Sequence, residues 1–383
     1  MWRTAAPDKA TTTRQMTSVN TVTTRVPAAP APTGDGRRRR RAPRWLWGLL
    51  VASVLVALGC LGASLVEIPY YALAPGSAVE VDELVVVAEQ PASSSEGSIY
   101  LLTVSLSRVT LVDAVRGWID PEVAIVEDRR IVPPDVAEAE LAEVNLAEMN
   151  ASKQQALGVA FEALGYDAIS GQGAEVVEVT AGTPAGMSLV PGDVIVGIDG
   201  APVTSHHDVV ELLAGRRPGA AAQVTVDPVG PAGPQRSTLT LDAAPGRPDV
   251  AFLGATLATL GPRFDFPIPI DIAVEEIGGP SAGLAFTLEV LDVLTTGDLT
   301  GGQRVAATGT IGLDGSVGQV GGVVQKTAVA KREGVGLLLV PGPELEQARR
   351  LAGDDLTVEA VDNLSQALGV LADHGGDPLS PHF

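Results

Sequence analysis

The chain has 383 residues, with 26 Lys and Arg against 46 Asp and Glu, for a formal net charge of −20. A body this acidic repels nucleic acid and presents no basic stripe to bind it. Cys60 is the only cysteine, which excludes a disulfide framework and a thiolate zinc site.

The charge is unevenly spread. Residues 1–44 hold ten basic side chains against Asp8 and Asp35, a local +8 that leaves −28 for the rest. Residues 1–36 are rich in Thr, Pro, Ala and Arg and have no apolar period, so the whole basic tail 1–44 reads as disordered. Next comes "WLWGLLVASVLVALGCLGASLV", Trp45 to Val66, 22 residues without a charge. At about 1.5 Å per residue such a helix crosses roughly 30 Å of hydrocarbon. Trp45 and Trp47 at one end and Tyr70 and Tyr71 beyond the other suit the two membrane interfaces, so residues 45–66 are expected to contact membrane lipid. Arg37 to Arg41 should stay cytoplasmic, which puts residues 70–383 outside the cell membrane. A cleaved signal peptide is the rival reading, but the basic region is too long and the apolar run exceeds a signal core. "ALGC" fits a lipoprotein cleavage box only loosely, and Cys60 reads as an apolar filler of the span.

Residues 70–135 contain strand-like runs at Val79–Gln90 and Gly97–Leu111, and a short amphipathic helix in "VTLVDAVRGWID". Residues 136–166 are Ala/Glu-rich and read as a helical connector, with a break into two helices near Asn150 left open. "GAEVVEVTAGTPAGMSLVPGDVIVGIDGAPVTSHHDVVELLAG" then alternates strands with Gly/Pro turns and ends in a helix from about His207; a hairpin follows. Pro184-Ala185 and Gly192-Asp193 carry most of a resemblance to PDZ domains over residues 167–246. The resemblance implies strand addition of an extended peptide, with a backbone-amide loop for a terminal carboxylate. Either Ala163–Asp167 or Gly171–Ala174 could supply that loop.

Beyond residue 250, "GGPSAG" places Ser281 in a G-x-S-x-G pattern between a strand-like run and a helix. A serine hydroxyl needs a base. The histidines available are His206 and His207, within the middle block, and His374 and His382, in the polar C-terminal tail; neither pair suits a nucleophile elbow. A lysine can serve if burial makes it neutral. Lys326 and Lys331 lie five residues apart, about 140° around a helix, and cannot share a face. Lys331 opens the charged run "KRE", whereas Lys326 has Gly322, Val323, Val329 and Ala330 around it and is the one that looks desolvated, although by itself the pattern fits a snorkelling lysine on a half-buried helix better.

"GGPSAG" followed by "TGTIGLDGSVGQVGGVVQK" resembles the proteolytic domain of Lon-type serine endopeptidases, in its membrane-anchored, PDZ-containing branch. The resemblance implies a Ser-Lys dyad at Ser281 and Lys326, with Thr308 hydrogen-bonding the lysine. The amides of Ser281 and Ala282, at a helix N-terminus, are the expected oxyanion donors. The chain has no G-x-x-x-x-G-K-[ST], so an ATPase motor is not expected. Gly278 stands where full-length members often carry an acidic residue.

The expectation is thus an α+β protein. It has an N-terminal transmembrane helix, a PDZ-like β-sandwich or barrel module at 167–246, a Lon-type α+β domain at 250–372 and a disordered tail at 373–383. The strands of 79–132 are expected to complete the Lon-type sheet through contacts between Ile99–Ser107 and residues 265–277, making the PDZ-like module an insertion. Function is expected to be hydrolysis of extracytoplasmic polypeptides through an acyl-enzyme, without cofactor or metal. The alternative is a catalytically silent envelope scaffold. The family's ring assemblies leave a homo-oligomer open.

Overall fold

The computed structural model describes residues 44–63, 67–88, 95–131, 138–183, 185–231, 233–244, 247–274 and 277–380. The expected disorder of 1–43 and of 381–383, and Pro184, lie outside the described residues. The chain divides into two units, residues 1–56 and 57–383.

Helix α1 (Arg44–Ala63) begins in the first unit, and its large apolar side chains, among them Trp45, Trp47 and Leu55, are exposed. Among the described residues no helix is long and apolar enough to cross a membrane, so the span expected at 45–66 rests on the sequence alone.

In the second unit, residues 67–131 form β1 (Glu67–Glu80), β2 (Val85–Val87), β3 (Ser98–Thr110), α2 (Leu111–Ile119), β4 (Ala124–Glu127) and the single turn α3 (Asp128–Ile131). The long α4 (Glu138–Ala163) follows. The middle module contains β5 (Ile169–Ser170), β6 (Ala174–Val179), β7 (Val194–Ile198), β8 (Ala201–Pro202), α5 (His206–Leu213), β9 (Ala221–Asp227) and β10 (Gln235–Thr240). It closes with β11 (Asp242–Ala244), β12 (Arg247–Phe252) and β13 (Ala255–Thr259). Then come β14 (Arg263–Phe264), β15 (Ile270–Ile272), α6 (Gly283–Leu294), β16 (Arg304–Ala307), β17 (Thr310–Ile311) and β18 (Val317–Gly318). The chain ends with α7 (Val323–Arg332), β19 (Leu337–Val340), α8 (Leu345–Ala352), β20 (Thr357–Ala360) and α9 (Leu364–Asp373).

The main sheet runs β20-β19-β16-β3-β1-β4 and combines strands from both ends of the second unit. β3 pairs in parallel with β16, and β16 with β19. Side-chain alternation decides its two faces. Ile99, Leu101, Val305, Ala307, Leu337 and Leu339 enter one core with α4, α6 and α9. Tyr100, Leu102, Ala306, Leu338 and Val340 enter the other with α7 and α8. A strand buried on both sides must be apolar throughout, which is why "LLLV" has no polar position.

Strands of 79–132 complete the main sheet, as expected: the Ile99 region pairs with β16 and β1, while residues 265–277 meet Ile99 in the shared core and their β15 pairs with β2. Three expectations are corrected. Residues 136–166 are no connector: α4 is one unbroken helix, and Met149, Ala156, Leu157 and Phe161 belong to the same core as α6. The PDZ-like module does not end at 246, because β13 pairs antiparallel with β6 and extends its sheet, ordered β10-β9-β7-β6-β13. The 373–380 part of the tail is held: Asp377 N donates to Asp298 O at 2.9 Å, and Thr296 N to Ser380 O at 2.8 Å.

In the middle module, the two-residue turn between β7 and β8 is Asp199-Gly200, with φ of 51° and 86°. Both residues sit in the left-handed region that such a hairpin requires. Its core includes Leu189, Ile195, Ile198, Val209 and Val224.

Candidate active site

Ser281 lies in the turn leading into α6, and two elements hold that turn. From α4, Ser152 Oγ donates to Pro280 O at 3.1 Å, and the Asn145 carbonyl accepts from Gly279 N at 2.9 Å. From the segment after β16, Gly309 N donates to Ser281 O at 3.0 Å, and Leu284 N to Gly309 O at 3.1 Å. Gly279 has φ 87°, which a side chain would strain. A Cβ on Gly283 would meet the backbone nitrogen of Ile311 at 2.8 Å. The turn therefore needs glycine at both positions, and the helix start can sit close against β17.

α7 starts from Gly322, in the left-handed region at φ 73°, and carries Lys326 in its first turns. Lys326 is 1% exposed. Its Nζ donates to Ser281 Oγ at 2.7 Å and to Thr308 Oγ1 at 2.8 Å, while Thr308 Oγ1 also lies 3.3 Å from Ser281 O. Burial pushes the Lys326 ammonium down from 10.5 to about 8, against the opposing pull of the Glu344 carboxylate. A lysine so placed is neutral often enough near neutral pH to accept a proton along the 2.7 Å line. Lys331, by contrast, is 30% exposed and paired with Asp355 at 3.4 Å.

The structure thus brings Ser281, Lys326 and Thr308 together. It brings no described histidine to them: His206 is buried against Thr259, 2.8 Å from Nδ1 to Oγ1, and His207 lies 3.4 Å from Glu162. The carbonyl of His374 accepts from Gln303 Nε2. Among the described residues, no acceptor pairs with the amides of Ser281 or Ala282. Two free N–H groups at the start of a helix can meet developing negative charge.

Sequence reasoning missed Asn145 and Ser152, because nothing in a long Ala/Glu-rich helix marks which polar residues face a turn more than a hundred residues away. A groove of about 760 Å³ opens between α5, through Val209, Val210 and Leu213, and β13 with its lead-in, through Phe252, Leu253 and Leu257. Neither Ala163–Asp167 nor Gly171–Ala174 lines it. Asp314, at the tip of the β17–β18 hairpin, borders the same groove.

Comparison with known proteins agrees with this division. Residues 155–227 match the PDZ domain family, and residues 272–372 match the Lon protease (S16) C-terminal proteolytic domain. The Lon protease of Frankia alni is 36% identical over 107 residues, covering 26% of this chain and 12% of that protein. The Lon protease of Phenylobacterium zucineum is 31% identical over 152 residues, covering 40% of this chain and 18% of that protein. The chain therefore spans less than a fifth of the length of either relative. Among solved structures, the PDZ domain of an SdrC-like protein from Listeria monocytogenes is 22% identical, covering 22% of this chain and 87% of its own, with TM-score 0.21. The chain carries a PDZ domain and the proteolytic domain of a serine endopeptidase within a mixed α/β fold.

Proposed function

We propose that the chain is a membrane-tethered, ATP-independent serine endopeptidase that cleaves extracytoplasmic polypeptides through a Ser281–Lys326 dyad. The carrying observation is the buried Lys326 Nζ at 2.7 Å from Ser281 Oγ. Neutral Lys326 takes the Ser281 proton as Oγ attacks the scissile carbonyl. The amides of Ser281 and Ala282 receive the oxyanion, and Lys326 returns the proton to the leaving amine. Water then hydrolyses the acyl-enzyme by the same exchange. Thr308 holds the lysine toward the serine through its 2.8 Å bond.

The 22 uncharged residues of 45–66 and the exposed apolar side chains of α1 support a lipid anchor. The arginines before them support an extracytoplasmic catalytic domain. The groove between α5 and β13 has the strand and helix walls that suit an added peptide strand, so the PDZ domain is the recognition module. Without a phosphate-binding loop, exposed or unfolded segments are the expected substrates.

The test is cleavage of an unfolded, fluorophore-quenched protein by the full chain in detergent. Ser281→Ala and Lys326→Ala should each abolish cleavage while leaving the circular dichroism spectrum intact. Activity retained in either variant refutes the dyad and returns the chain to the scaffold reading.

A further inference from the structure

Glu344 closes the short 3-10 turn Gly342–Glu344 that follows β19. One of its carboxylate oxygens, Oε1, accepts from Val320 N at 2.8 Å, in the glycine-rich segment that leads into α7. The other, Oε2, is buried and has no hydrogen-bond partner among the described residues. A buried carboxylate oxygen left without a partner costs free energy unless a nearby positive charge compensates it. The cavity beside it, about 380 Å³, is shared with Gly322, Val323 and Gln325 at the start of α7, the helix that carries Lys326. Lys326 N in turn bonds Gly322 O at 2.9 Å, so the carboxylate, the loop it clamps and the lysine form one continuous piece of structure.

We propose that Glu344 is a positioning residue for the Ser281–Lys326 pair. Its carboxylate clamps the Val320–Gly322 lead-in of α7 and sets a fixed negative charge beside the lysine. The inference rests on the dyad reading above.

Among the described residues the charge acts alone there. The cavity is faced from β1 by Leu73, from the segment before β4 by Pro121, from β4 by Ala124, and from α8 by Gln347, none of them titratable. Lys331 and Arg332 on α7 pair outward with Asp355 and Glu122, and Glu80 on β1 accepts from Tyr100 on β3. On α8, Arg349 pairs with Glu359. Among the described residues, neither these nor Glu346 and Arg350 bear on Lys326, and the charge that does is Glu344; burial raises the Glu344 carboxyl, opposed by the Val320 hydrogen bond and then by Lys326. During attack the proton leaves Ser281 Oγ for Lys326 Nζ, and the ammonium so formed gains the field of Glu344. The resting lysine is held protonated to higher pH by the same field.

Glu344→Gln separates the two parts of this role, because the amide oxygen still accepts from Val320 N while the charge is gone. On the full chain, the acid limb of kcat/KM against pH should move to lower pH. Rates on that limb should rise roughly threefold to tenfold, the span of a half to one pH unit. The high-pH plateau should fall, since a less basic lysine is a weaker proton acceptor. Glu344→Ala should show the same limb with a lower melting temperature, because it loses the clamp as well. A purely structural Glu344 would lower stability and rate without moving the limb. An unmoved limb in Glu344→Gln overturns the inference while Ser281→Ala and Lys326→Ala remain inactive; if those two variants cleave, it is the dyad that has failed.

Discussion

Lys326→Met should make the protein more stable at pH 7 and less stable above pH 10.5. Met is close in length and apolar, so it fills the site of a side chain only 1% exposed. Folding moves the lysine from an ordinary value of 10.5 to about 8, which means that the folded chain binds this proton more weakly than the unfolded one. Below pH 8 both states hold the proton and the whole cost of burying the charge is present, about 3 kcal/mol. As pH rises from 8 to 10.5 the unfolded state loses its advantage, and above that window the cost is gone. Against this stand the bonds to Ser281 and Thr308, at 2.7 and 2.8 Å, each worth about 1 kcal/mol net. The variant should therefore gain about 1 kcal/mol at pH 7, or about 2–4 °C in melting temperature, and lose about 2 kcal/mol above pH 10.5. Thermal unfolding of wild type and variant across that range reads both values. A stability difference that stays constant with pH would refute a lysine buried at the cost of its charge.

The rate of substrate cleavage should follow one ionisation near pH 8 and rise about tenfold between pH 7 and pH 9, as the neutral fraction of Lys326 grows; a profile flat over that range would remove Lys326 as the base. Glu289 on α6 is pushed up to about 8 by burial, reinforced by Asp292, Asp82 and Glu80. The folded chain keeps this proton where the unfolded chain releases it, so stability should fall as pH rises from the ordinary carboxylate range to about 8. Glu289→Gln should flatten that fall, and urea midpoints at the two ends of the range compare the two proteins directly.

Much of the candidate site was legible in the chain because the pattern that marks it is local. Ser281 sits between glycines, one of which takes φ 87°, and Lys326 stands on a helix whose apolar neighbours already suggest burial. The Asp199-Gly200 hairpin and the all-apolar strand Leu337–Val340 were equally plain, since turn type and two-sided burial leave marks within a few residues. The apolar run at 45–66 is likewise a property of composition alone.

What was not legible depends on pairing between distant segments. No local signal tells β3 that its neighbour is β16, some two hundred residues on, or tells β13 that it belongs beside β6 and not with the strand-like run that follows it. The period-two pattern of a strand shows that a face will be buried, and not which element will bury it. The same holds for α4, whose Asn145 and Ser152 grip the Ser281 turn only after folding, and for Glu344, whose meaning depends on Val320 and Lys326 being close. Sequence determined which side chains could do the chemistry. Tertiary structure decided what holds them 2.7 Å apart and how much charge they feel, because burial and electric field belong to the neighbours a residue acquires on folding.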